Sequence, residues 1–337
     1  MKADFAFHDG TLLLYPTRKD VWRRNAEPIA ETVASLGQAL AEFEPVVLGV
    51  LPELDKNKIQ AACPDVQVRT MRYDDIWARD TGAVPTDDGL VKFGFNAWGG
   101  VDGLYGNWDN DSTVPEQMSE MLGKSLSLSE LTLEGGNLLT DGDGTLICIK
   151  NTIANNNRNP GISECEIECE LKRSLGVERI IWIDEGLKLD ETGGHIDNLC
   201  AFADKDTLLI AWTDDPDSED YKTVRSALEK IETAVGKKYR IVKIPLPSPF
   251  IRTEDDCVGL EYPDGSKPRL PGEVIQPSYI NFIFANGAVI VPTFDDSMDE
   301  AALQIFKSVF KGRKVIPHPA REIVLGGGGL HCITKNY

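Results

Sequence analysis

The chain has 337 residues, of which 42% are hydrophobic and 26% charged, so it can bury a large core and disorder is excluded. A formal net charge of −19 at pH 7 argues against nucleic acid or an anionic membrane as a partner, because both need a positive field. The same charge favours a cationic ligand, but only weakly, since many proteins are acidic for solubility alone.

Two features bear on the compartment in which the protein works. The N-terminal segment MKADFAFHDG has one lysine and no apolar stretch, so it is not a secretory signal, and no apolar run approaches the roughly 18 residues of a membrane span. Seven cysteines, an odd number in a long chain, suit a reducing environment. We therefore expect a cytoplasmic protein with free thiols.

Short β-like runs and helical periodicities mix along the chain. In chain order the predicted strands cover 11–15, 46–50, 66–70, 90–95, 145–150, 180–183, 208–212, 241–244, 279–284 and 288–291. Apolar residues at helical spacing predict helices over 23–43 and 219–235, a capping box starts another at Ser163, and a fourth covers 299–310. No linker composition divides these elements, so we expect one α/β domain over residues 1–337.

A polar or glycine-rich element recurs after a strand signal at five places. These are WARD at 77–80, EGGN at 134–137, GHID at 194–197, YIN at 279–281 and GGLHC at 328–332. Their spacing is irregular, which is weak support for repeats on its own. Repeated units that deliver residues to a common axis would nevertheless fit it.

Two of these elements carry residues suited to catalysis. His195 and Asp197 are two apart, so on a strand they would point to the same side, either as an acid/base beside a cation binder or as a buried histidine satisfied by its neighbour. Four glycines precede Cys332, and they indicate either a close approach of the backbone to a ligand or a flexible terminal turn with an incidental thiol. The residues alone leave both questions open.

Asp80 and Glu134 complete a set of one thiol, one imidazole and three carboxylates. A guanidinium is planar and always cationic, so two carboxylates can clamp it while a thiolate attacks its central carbon. A serine hydrolase would need Gly-x-Ser-x-Gly, and a glycosidase would leave Cys332 unexplained. Trp77 and Trp98 are candidates for lining such a pocket, although each is explained more readily as core packing.

The cysteines and histidines give little support for a metal site. The chain has four histidines and neither His-Glu-x-x-His nor Cys-x-x-Cys. Cys165 and Cys169 are spaced compatibly with a metal on the helix that starts at Ser163, but with no second ligand pair in sight we expect packed structural thiols. No metal and no organic cofactor is expected.

Motifs along nearly the whole chain resemble those of the agmatine deiminase family, in the peptidylarginine-deiminase-like branch of the guanidino-group-modifying superfamily. They are DIWARDTG at 75–82, GFNAWGG at 94–100, LEGG at 133–136, NRNP at 157–160, GHIDN at 194–198, AWTDDP at 211–216, GGG at 326–328 and HCIT at 331–334. The resemblance implies an α/β fold that is a five-fold pseudosymmetric α/β propeller (pentein) of ββαβ-type repeats. It also implies a hydrolase that converts agmatine to N-carbamoylputrescine and ammonia, a step of polyamine (putrescine) biosynthesis.

Carried over position by position, the resemblance assigns the catalytic roles. Cys332 is the nucleophile that forms a covalent amidino-cysteine, and His195 is the acid/base. Asp80 and Asp197 clamp the guanidinium, and Glu134 supports His195. The implied partner is a small cationic guanidine substrate.

The positions expected to contact the rest of the substrate match the family less fully. Trp77 matches its pocket tryptophan, and Glu191 matches an acidic position that helps to recognise the distal amine. Gly329, a substrate-binding position, and Gly193 stand where asparagine is usual, and Tyr15 replaces a usual tryptophan. The reaction is therefore expected, while the exact guanidine substrate is left open.

Rival functions also remain open. Within the class they are deimination of free or peptidyl arginine, or of another guanidino compound, and amidino transfer to an amine. A non-catalytic propeller-fold binding protein would have no need for the thiol, imidazole and carboxylates together, and a metal-dependent amidine hydrolase would be sensitive to chelators. The residues do not define the oligomeric state, and a homodimer is the assembly kept open.

Overall fold

The structure, a computed structural model, describes residues 1–100, 104–263 and 265–337. The strands, in chain order, are β1 (Thr11–Leu14), β2 (Val46–Val50), β3 (Gln67–Thr70), β4 (Val84–Thr86), β5 (Gly89–Gly94), β6 (Leu126–Thr132), β7 (Leu139–Thr140), β8 (Thr145–Ile149), β9 (Arg179–Ile183), β10 (Cys200–Asp204), β11 (Thr207–Trp212), β12 (Arg240–Pro245), β13 (Phe250–Ile251), β14 (Val274–Ile275), β15 (Ile283–Ala285), β16 (Ala288–Thr293), β17 (Lys314–Pro319) and β18 (Lys335–Asn336).

Helices alternate with these strands, which gives a mixed α/β fold. The α-helices are α1 (Glu27–Ala41), α2 (Lys56–Ala62), α3 (Ala78–Thr81), α4 (Val114–Leu122), α5 (Lys150–Ile153), α6 (Glu164–Leu175), α7 (Ile196–Leu199), α8 (Tyr221–Val235), α9 (Asp299–Val309) and α10 (Arg321–Leu325). Single 3-10 turns lie at Arg24–Ala26, Asp111–Thr113, Gly135–Asn137 and Asp255–Cys257. None of these helices is both long and apolar enough to cross a lipid bilayer.

Within the described ranges, five sheets share one pairing pattern. In β4-β5-β6, β7-β8-β9, β10-β11-β12 and β15-β16-β17 the first pair is antiparallel and the second parallel. In the remaining sheet of this kind, β18-β1-β2-β3, the C-terminal β18 runs antiparallel to β1. The last strand of the chain therefore completes the first sheet. The two-stranded ribbon β13-β14 lies between β12 and β15 in the sequence.

The parallel pairs require crossover connections, and helices supply them. α1 links β1 to β2, α4 links β5 to β6, α6 links β8 to β9, α8 links β11 to β12, and α9 links β16 to β17. In α1 the buried residues include Ile29, Val33, Leu36 and Leu40, which repeat at the helical period. Strands such as β2 and β8 are buried at every position, and the buried apolar side chains of the described residues form three clusters between helices and sheets.

Several sequence predictions are confirmed in detail. The strand predicted over 46–50 is β2, and the helix predicted over 219–235 is α8 with a slightly later start. α6 begins after Ser163, whose side chain accepts the Glu166 backbone N–H while the Glu166 carboxylate accepts the Ser163 backbone N–H. The capping box is therefore present as predicted.

Other predictions are wrong. The helix predicted from residue 23 starts at Glu27, because Arg24, Asn25 and Ala26 have left-handed φ values of 52°, 54° and 64°. Pro28, near the start of α1, is a residue that favours a helix N-terminus. In the strand predicted over 279–284 the first residues form a turn, and β15 begins only at Ile283.

The expectation that Cys165 and Cys169 are packed thiols is also wrong. Both side chains are exposed. The buried face of α6 is formed instead by Ile167, Leu171 and Leu175. Since neither cysteine is on the stripe of these three residues, both side chains face solvent.

A short polar turn leads into the first strand of each of the five similar sheets. These turns are α3 before β4, Gly135–Asn137 before β7, α7 before β10, the turn 278–281 before β15, and the turn 330–334 before β18. They coincide with the five polar elements of the sequence. The longer interval between the third and fourth elements includes the added ribbon β13-β14.

Candidate active site

Cys332 lies in the turn before β18 and is 5% exposed. Its Sγ is 3.2 Å from Asn281 Nδ2 and 3.6 Å from Asp197 Oδ2. Asn281 Oδ1 accepts the backbone N–H groups of His331 at 2.9 Å and Cys332 at 3.3 Å. One amide side chain therefore fixes the backbone of the turn and touches its thiol. Because these hydrogen bonds hold Asn281 in place, residues 279–281 form a turn and not a strand.

The glycines before Cys332 allow a close approach. A Cβ on Gly329 would lie 2.4 Å from Asn281 Oδ1, and one on Gly328 would lie 2.4 Å from Cζ3 of the Trp77 ring. Real Cβ atoms do not approach other atoms so closely. The loop therefore packs closely against the Asn281 and Trp77 side chains and is not a loose terminal turn, while the close approach to a ligand stays a prediction.

His195 is buried, with 1% of its surface exposed, and is flanked by carboxylates. Its Nε2 is 3.3 Å from Glu134 Oε2 and its Nδ1 is 3.8 Å from Asp80 Oδ2. Burial lowers the pKa of His195, but the negative charges of Asp80 and Glu134 outweigh it and raise the pKa to about 10. The ring is therefore an imidazolium at neutral pH.

His195 and Asp197 do not lie on a strand, contrary to the sequence prediction. His195 is the N-cap of α7 with extended backbone angles, and Asp197 is in the first turn of that helix. The His195 backbone N–H donates to Asp190 Oδ2 at 2.9 Å. The His195 and Asp197 side chains nevertheless converge on the same place, beside Gly136.

Glu134 is fully buried and is held from two sides. Its Oε1 accepts Nε of Arg158 at 3.0 Å, while Oε2 faces His195. Burial raises the pKa of Glu134, but the hydrogen bond with His195 and the charge of Arg158 lower it by more. Glu134 is therefore ionised. No role for Arg158 was predicted from the sequence, although it belongs to the NRNP motif.

Asp80 is the second carboxylate beside His195. Its Oδ1 accepts the backbone N–H of Gly136 at 2.8 Å, and its Oδ2 accepts the indole N–H of Trp98 at 3.0 Å. Burial raises the pKa of Asp80, the His195 charge opposes this rise, and the Asp197 charge adds to it. A Cβ on Gly136 would lie 2.7 Å from His195 Nδ1 and 3.0 Å from Asp197 Oδ2, so only glycine lets these groups converge.

Asp197 presents one satisfied and one unsatisfied oxygen. Oδ2 lies 2.8 Å from His331 Nδ1, whereas Oδ1 is buried without a hydrogen-bond partner among the described residues. An unpaired buried polar atom costs on the order of 1–3 kcal/mol, and more when it is charged. A ligand with N–H donors would remove this cost.

We call Asp80, Glu134, His195, Asp197 and Cys332 the polar cluster. Burial raises the pKa of the Cys332 thiol well above its usual value, and the charges of Asp197 and Asp80 raise it further. The thiol is therefore protonated while no cation is bound beside it. The structure brings all five residues together, and their catalytic roles remain predictions.

Two cavities adjoin at the polar cluster. Cys332, His195, Asp80, Trp77 and other residues line a cavity of about 20 Å³, which has room for about one water molecule. A large cleft of about 610 Å³ lies beside it. The cavities share the lining residues Asn198, Gly327 and Gly328. The thiol is therefore adjacent to a space of ligand size.

The aromatic wall of the small cavity includes both predicted tryptophans. The Trp77 indole N–H lies 2.9 Å from Asp75 Oδ2, and the Trp77 and Trp98 rings pack edge to face with centroids 6.4 Å apart. Both rings are buried, and both also line the cavity. Core packing and pocket lining are therefore combined in these two residues.

Glu191 and Gly329 line the large cleft. Glu191 Oε2 accepts Nη1 of buried Arg269 at 3.0 Å, and Oε1 is 3.5 Å from Nζ of exposed Lys267. Burial raises the pKa of Glu191, but Arg269 and Lys267 lower it by more, so it is ionised. Gly193 also lines the cleft and has φ +90°, where a side chain would be strained.

Comparisons with known proteins fit this geometry. The model of the family described as Porphyromonas-type peptidyl-arginine deiminase matches residues 1–337. The agmatine deiminase of Pseudomonas aeruginosa (strain LESB58) is 39% identical over 346 residues, which cover 99% of this chain and 94% of that protein. The agmatine deiminase of Pseudomonas fluorescens (strain Pf-5) is 38% identical with the same coverage.

A solved structure titled as the agmatine deiminase of Enterococcus faecalis catalyzing its reaction superimposes with a TM-score of 0.94 at 29% identity. The match covers 100% of this chain and 94% of that chain. Similarity in fold and in sequence thus extends over the full length. The chain therefore belongs to the Porphyromonas-type peptidyl-arginine deiminase family, and the relatives named above are agmatine deiminases, which confirms the resemblance that its motifs indicate.

Proposed function

We propose that the protein hydrolyses the guanidinium group of agmatine to N-carbamoylputrescine and ammonia, with Cys332 as the nucleophile. The observation that carries the proposal is the Asp197 carboxylate: its Oδ2 lies beside the Cys332 thiol, and its buried Oδ1 has no hydrogen-bond partner among the described residues. The His195 imidazolium belongs to the same cluster. A guanidinium supplies the N–H donors that this oxygen lacks and the positive charge that the surrounding carboxylates favour.

Substrate binding prepares the nucleophile in this account. The Asp80 and Asp197 charges raise the pKa of the Cys332 thiol. A guanidinium placed between these carboxylates and the sulfur offsets their charges, so the thiol pKa falls and its proton leaves to solvent. His195 does not take this proton, because it is already protonated.

Two half-reactions follow. The Cys332 thiolate adds to the guanidinium carbon, His195 protonates the departing nitrogen, and ammonia leaves behind an amidino-thioether. The neutral imidazole then takes a proton from water as the hydroxide adds to the same carbon. The C–S bond breaks, and the ureido product leaves. Glu134 keeps His195 oriented and basic enough for both steps.

The rest of the substrate fits the large cleft. Agmatine has a four-carbon chain and a terminal ammonium, and Glu191 offers a carboxylate for that ammonium at the cleft wall. Arg269 holds Glu191 Oε2 at 3.0 Å, whereas Lys267 contacts Oε1 only at 3.5 Å and its side chain is 51% exposed. Oε1 is therefore the oxygen that can exchange Lys267 for the substrate.

Wider proposals concern architecture and setting. We infer that the five similar sheets are the blades of a five-fold pseudosymmetric propeller in one domain, with the five polar turns at its axis. The repeated strand pairing supports this architecture.

We also propose a reducing, cytoplasmic setting, because the seven cysteines are free thiols. The homodimer stays a prediction.

Deimination of free or peptidyl arginine is the second candidate, because Lys267 and Arg252 line the cleft and could pair with an α-carboxylate or carbonyl. The test offers agmatine, arginine and a blocked arginyl peptide separately and measures ammonia and the ureido product. We expect kcat/KM to be highest for agmatine. Turnover of either other substrate without turnover of agmatine would reject the assignment.

A further inference from the structure

His331, the residue before the nucleophile, has its imidazole between two carboxylates. Its Nδ1 is 2.8 Å from Asp197 Oδ2, and its Nε2 is 3.3 Å from Asp4 Oδ2. The residue is 7% exposed, so water competes little for either contact. The sequence analysis gave His331 no role, although it belongs to the HCIT motif.

The two contacts define the charge of the ring. Ionised carboxylates only accept hydrogen bonds, so both ring nitrogens must donate, and only an imidazolium has two N–H donors. The charged groups that face it are Asp4, Asp197 and Arg79, whose Nη1 donates to Asp4 Oδ1 at 3.0 Å. Burial and the Arg79 charge lower the pKa of His331, and the two carboxylates outweigh them, so the pKa is raised.

This arrangement also explains the orientation of Asp197. The bond from His331 holds Oδ2, and the thiol of Cys332 lies 3.6 Å from the same oxygen. With Oδ2 fixed, Oδ1 is left as the oxygen without a partner among the described residues. A carboxylate without such contacts could rotate and exchange its two oxygens, whereas the contacts at Oδ2 hold this one in place.

We propose that His331 is a positioning residue for the deimination: held by Asp4, its imidazolium orients Asp197 so that Oδ1 meets the substrate N–H, and it offsets one negative charge beside the thiol. The inference rests on the proposed function for the reaction that it serves. It does not depend on which guanidine is the natural substrate, because the clamp contacts only the planar cationic group.

Two substitutions test the two nitrogen atoms of the His331 ring separately. In His331→Asn the amide nitrogen takes the place of Nδ1, so the donor to Asp197 is kept while the contact with Asp4 is lost. In His331→Gln the amide nitrogen takes the place of Nε2, so the donor faces Asp4 and Asp197 is left free. Both variants replace the charged ring by a neutral amide, and their unfolding temperatures are measured alongside.

The experiment compares alkylation of Cys332 by 2-chloroacetamidine, a planar cation, with alkylation by neutral iodoacetamide, followed by mass spectrometry of the Cys332 peptide. The ratio of the 2-chloroacetamidine rate to the iodoacetamide rate measures how well the clamp of Asp80 and Asp197 binds a planar cation, whatever the natural substrate is. We expect this ratio to fall about 100-fold in His331→Gln and less than about 10-fold in His331→Asn, because misplacement of a binding group by about 1 Å can cost that much.

A purely structural role predicts a different pattern, in which the two reagents slow equally and the rates follow the unfolding temperatures. That result, or an Asn variant with as large a fall as the Gln variant, would overturn the proposal. Asp4→Asn adds a further test: the ring loses its charged partner but can keep its Nδ1–H on Asp197, so the ratio should fall less than about 10-fold, as in His331→Asn. A fall as large as in His331→Gln would contradict the proposal.

Failure of the proposed function gives a separate signature. If wild-type protein prefers the amidinium reagent but does not turn over agmatine, the substrate assignment fails and the His331 comparison remains decisive. If agmatine is turned over and the ratio of alkylation rates is the same in the wild type, His331→Asn and His331→Gln, only the positioning role of His331 is rejected.

Discussion

The polar cluster and the large cleft are built differently. Asp80, Glu134, His195, Asp197 and Cys332 are each at most 7% exposed. In the cleft, by contrast, Glu191 is held by buried Arg269 on one side and by half-exposed Lys267 on the other. Buried charges need well-placed partners, whereas exposed ion pairs contribute only about 0–1 kcal/mol. The proposed chemistry therefore uses groups that are fixed in place, and the proposed recognition of substrate length rests on contacts that are easily changed.

Glycines show the same contrast. Gly136, Gly328 and Gly329 each have neighbours within 2.4–2.8 Å of a hypothetical Cβ. A side chain at Gly136 would displace members of the polar cluster, and one at Gly328 or Gly329 would displace Trp77 or Asn281, which pack beside it. Gly193 faces open space in the cleft, with only Thr152 Oγ1 at 4.0 Å from its Cβ position. An asparagine at position 329 would thus collide with Asn281, whereas one at 193 would have space for its side chain but a strained backbone at φ +90°.

The largest expected effect is from Cys332→Ser, which removes the nucleophile. A hydroxyl is a far weaker nucleophile at neutral pH, so kcat with agmatine should fall on the order of 10⁴-fold or more. Cys165→Ser is the matched control, because that thiol is exposed and far along the chain on α6, and it should keep full activity. Normal turnover by the Cys332 variant would reject the nucleophile.

Asp197→Asn should have the next largest effect. It removes one of the two negative charges proposed to clamp the guanidinium. It also leaves an amide group where Oδ1, which has no partner among the described residues, now lies. Loss of one charge-stabilising group in a buried site lowers kcat/KM by about 10²–10³-fold. Asp206→Asn, an exposed position in the β10–β11 turn, is the control. Equal steady-state kinetics of the two variants would contradict the clamp.

Glu134→Gln tests the pKa of His195. The Glu134 charge helps to raise that pKa to about 10, so its removal makes the imidazolium lose its proton at a lower pH. Ammonia release needs the imidazolium, hence the alkaline limb of the kcat profile should move to lower pH, with a loss of about 100-fold at alkaline pH. Because Arg158 also loses its partner, the unfolding temperature is measured in parallel. A shift of the limb to higher pH would refute this role of Glu134.

The smallest effects are expected in the cleft. Glu191→Gln should raise KM for agmatine about 10-fold and leave kcat nearly unchanged, because in the proposed binding mode the residue contacts only the distal ammonium. Lys267→Met, its counterpart, removes a competing cation and should lower KM about 2- to 5-fold. Steady-state kinetics measure both. If both variants raise KM equally, Glu191 does not bind the ammonium.

The sequence alone defined the polar cluster well and its surroundings less well. Cys332, His195 and the carboxylates were candidates because a thiol, an imidazole and several acids recur in motifs after strand signals, but that pattern left their roles open and the family resemblance assigned them. Their local geometry was not predictable, since the turn at Asn281 depends on hydrogen bonds with His331 and Cys332, which lie far along the chain, and the helix cap at His195 depends on the Asp190 side chain, which no motif singles out. Arg158 and His331 were missed for the same reason: their partners, Glu134 and Asp4, are remote in sequence.

The most direct test of the central claim is a rapid-quench experiment with agmatine followed by mass spectrometry of the intact chain and of its Cys332 peptide. The account predicts a transient increase in mass equal to agmatine minus ammonia, located on Cys332 and absent from the Cys332→Ser variant. Full turnover with no adduct at any quench time, or an adduct on another residue, would contradict it.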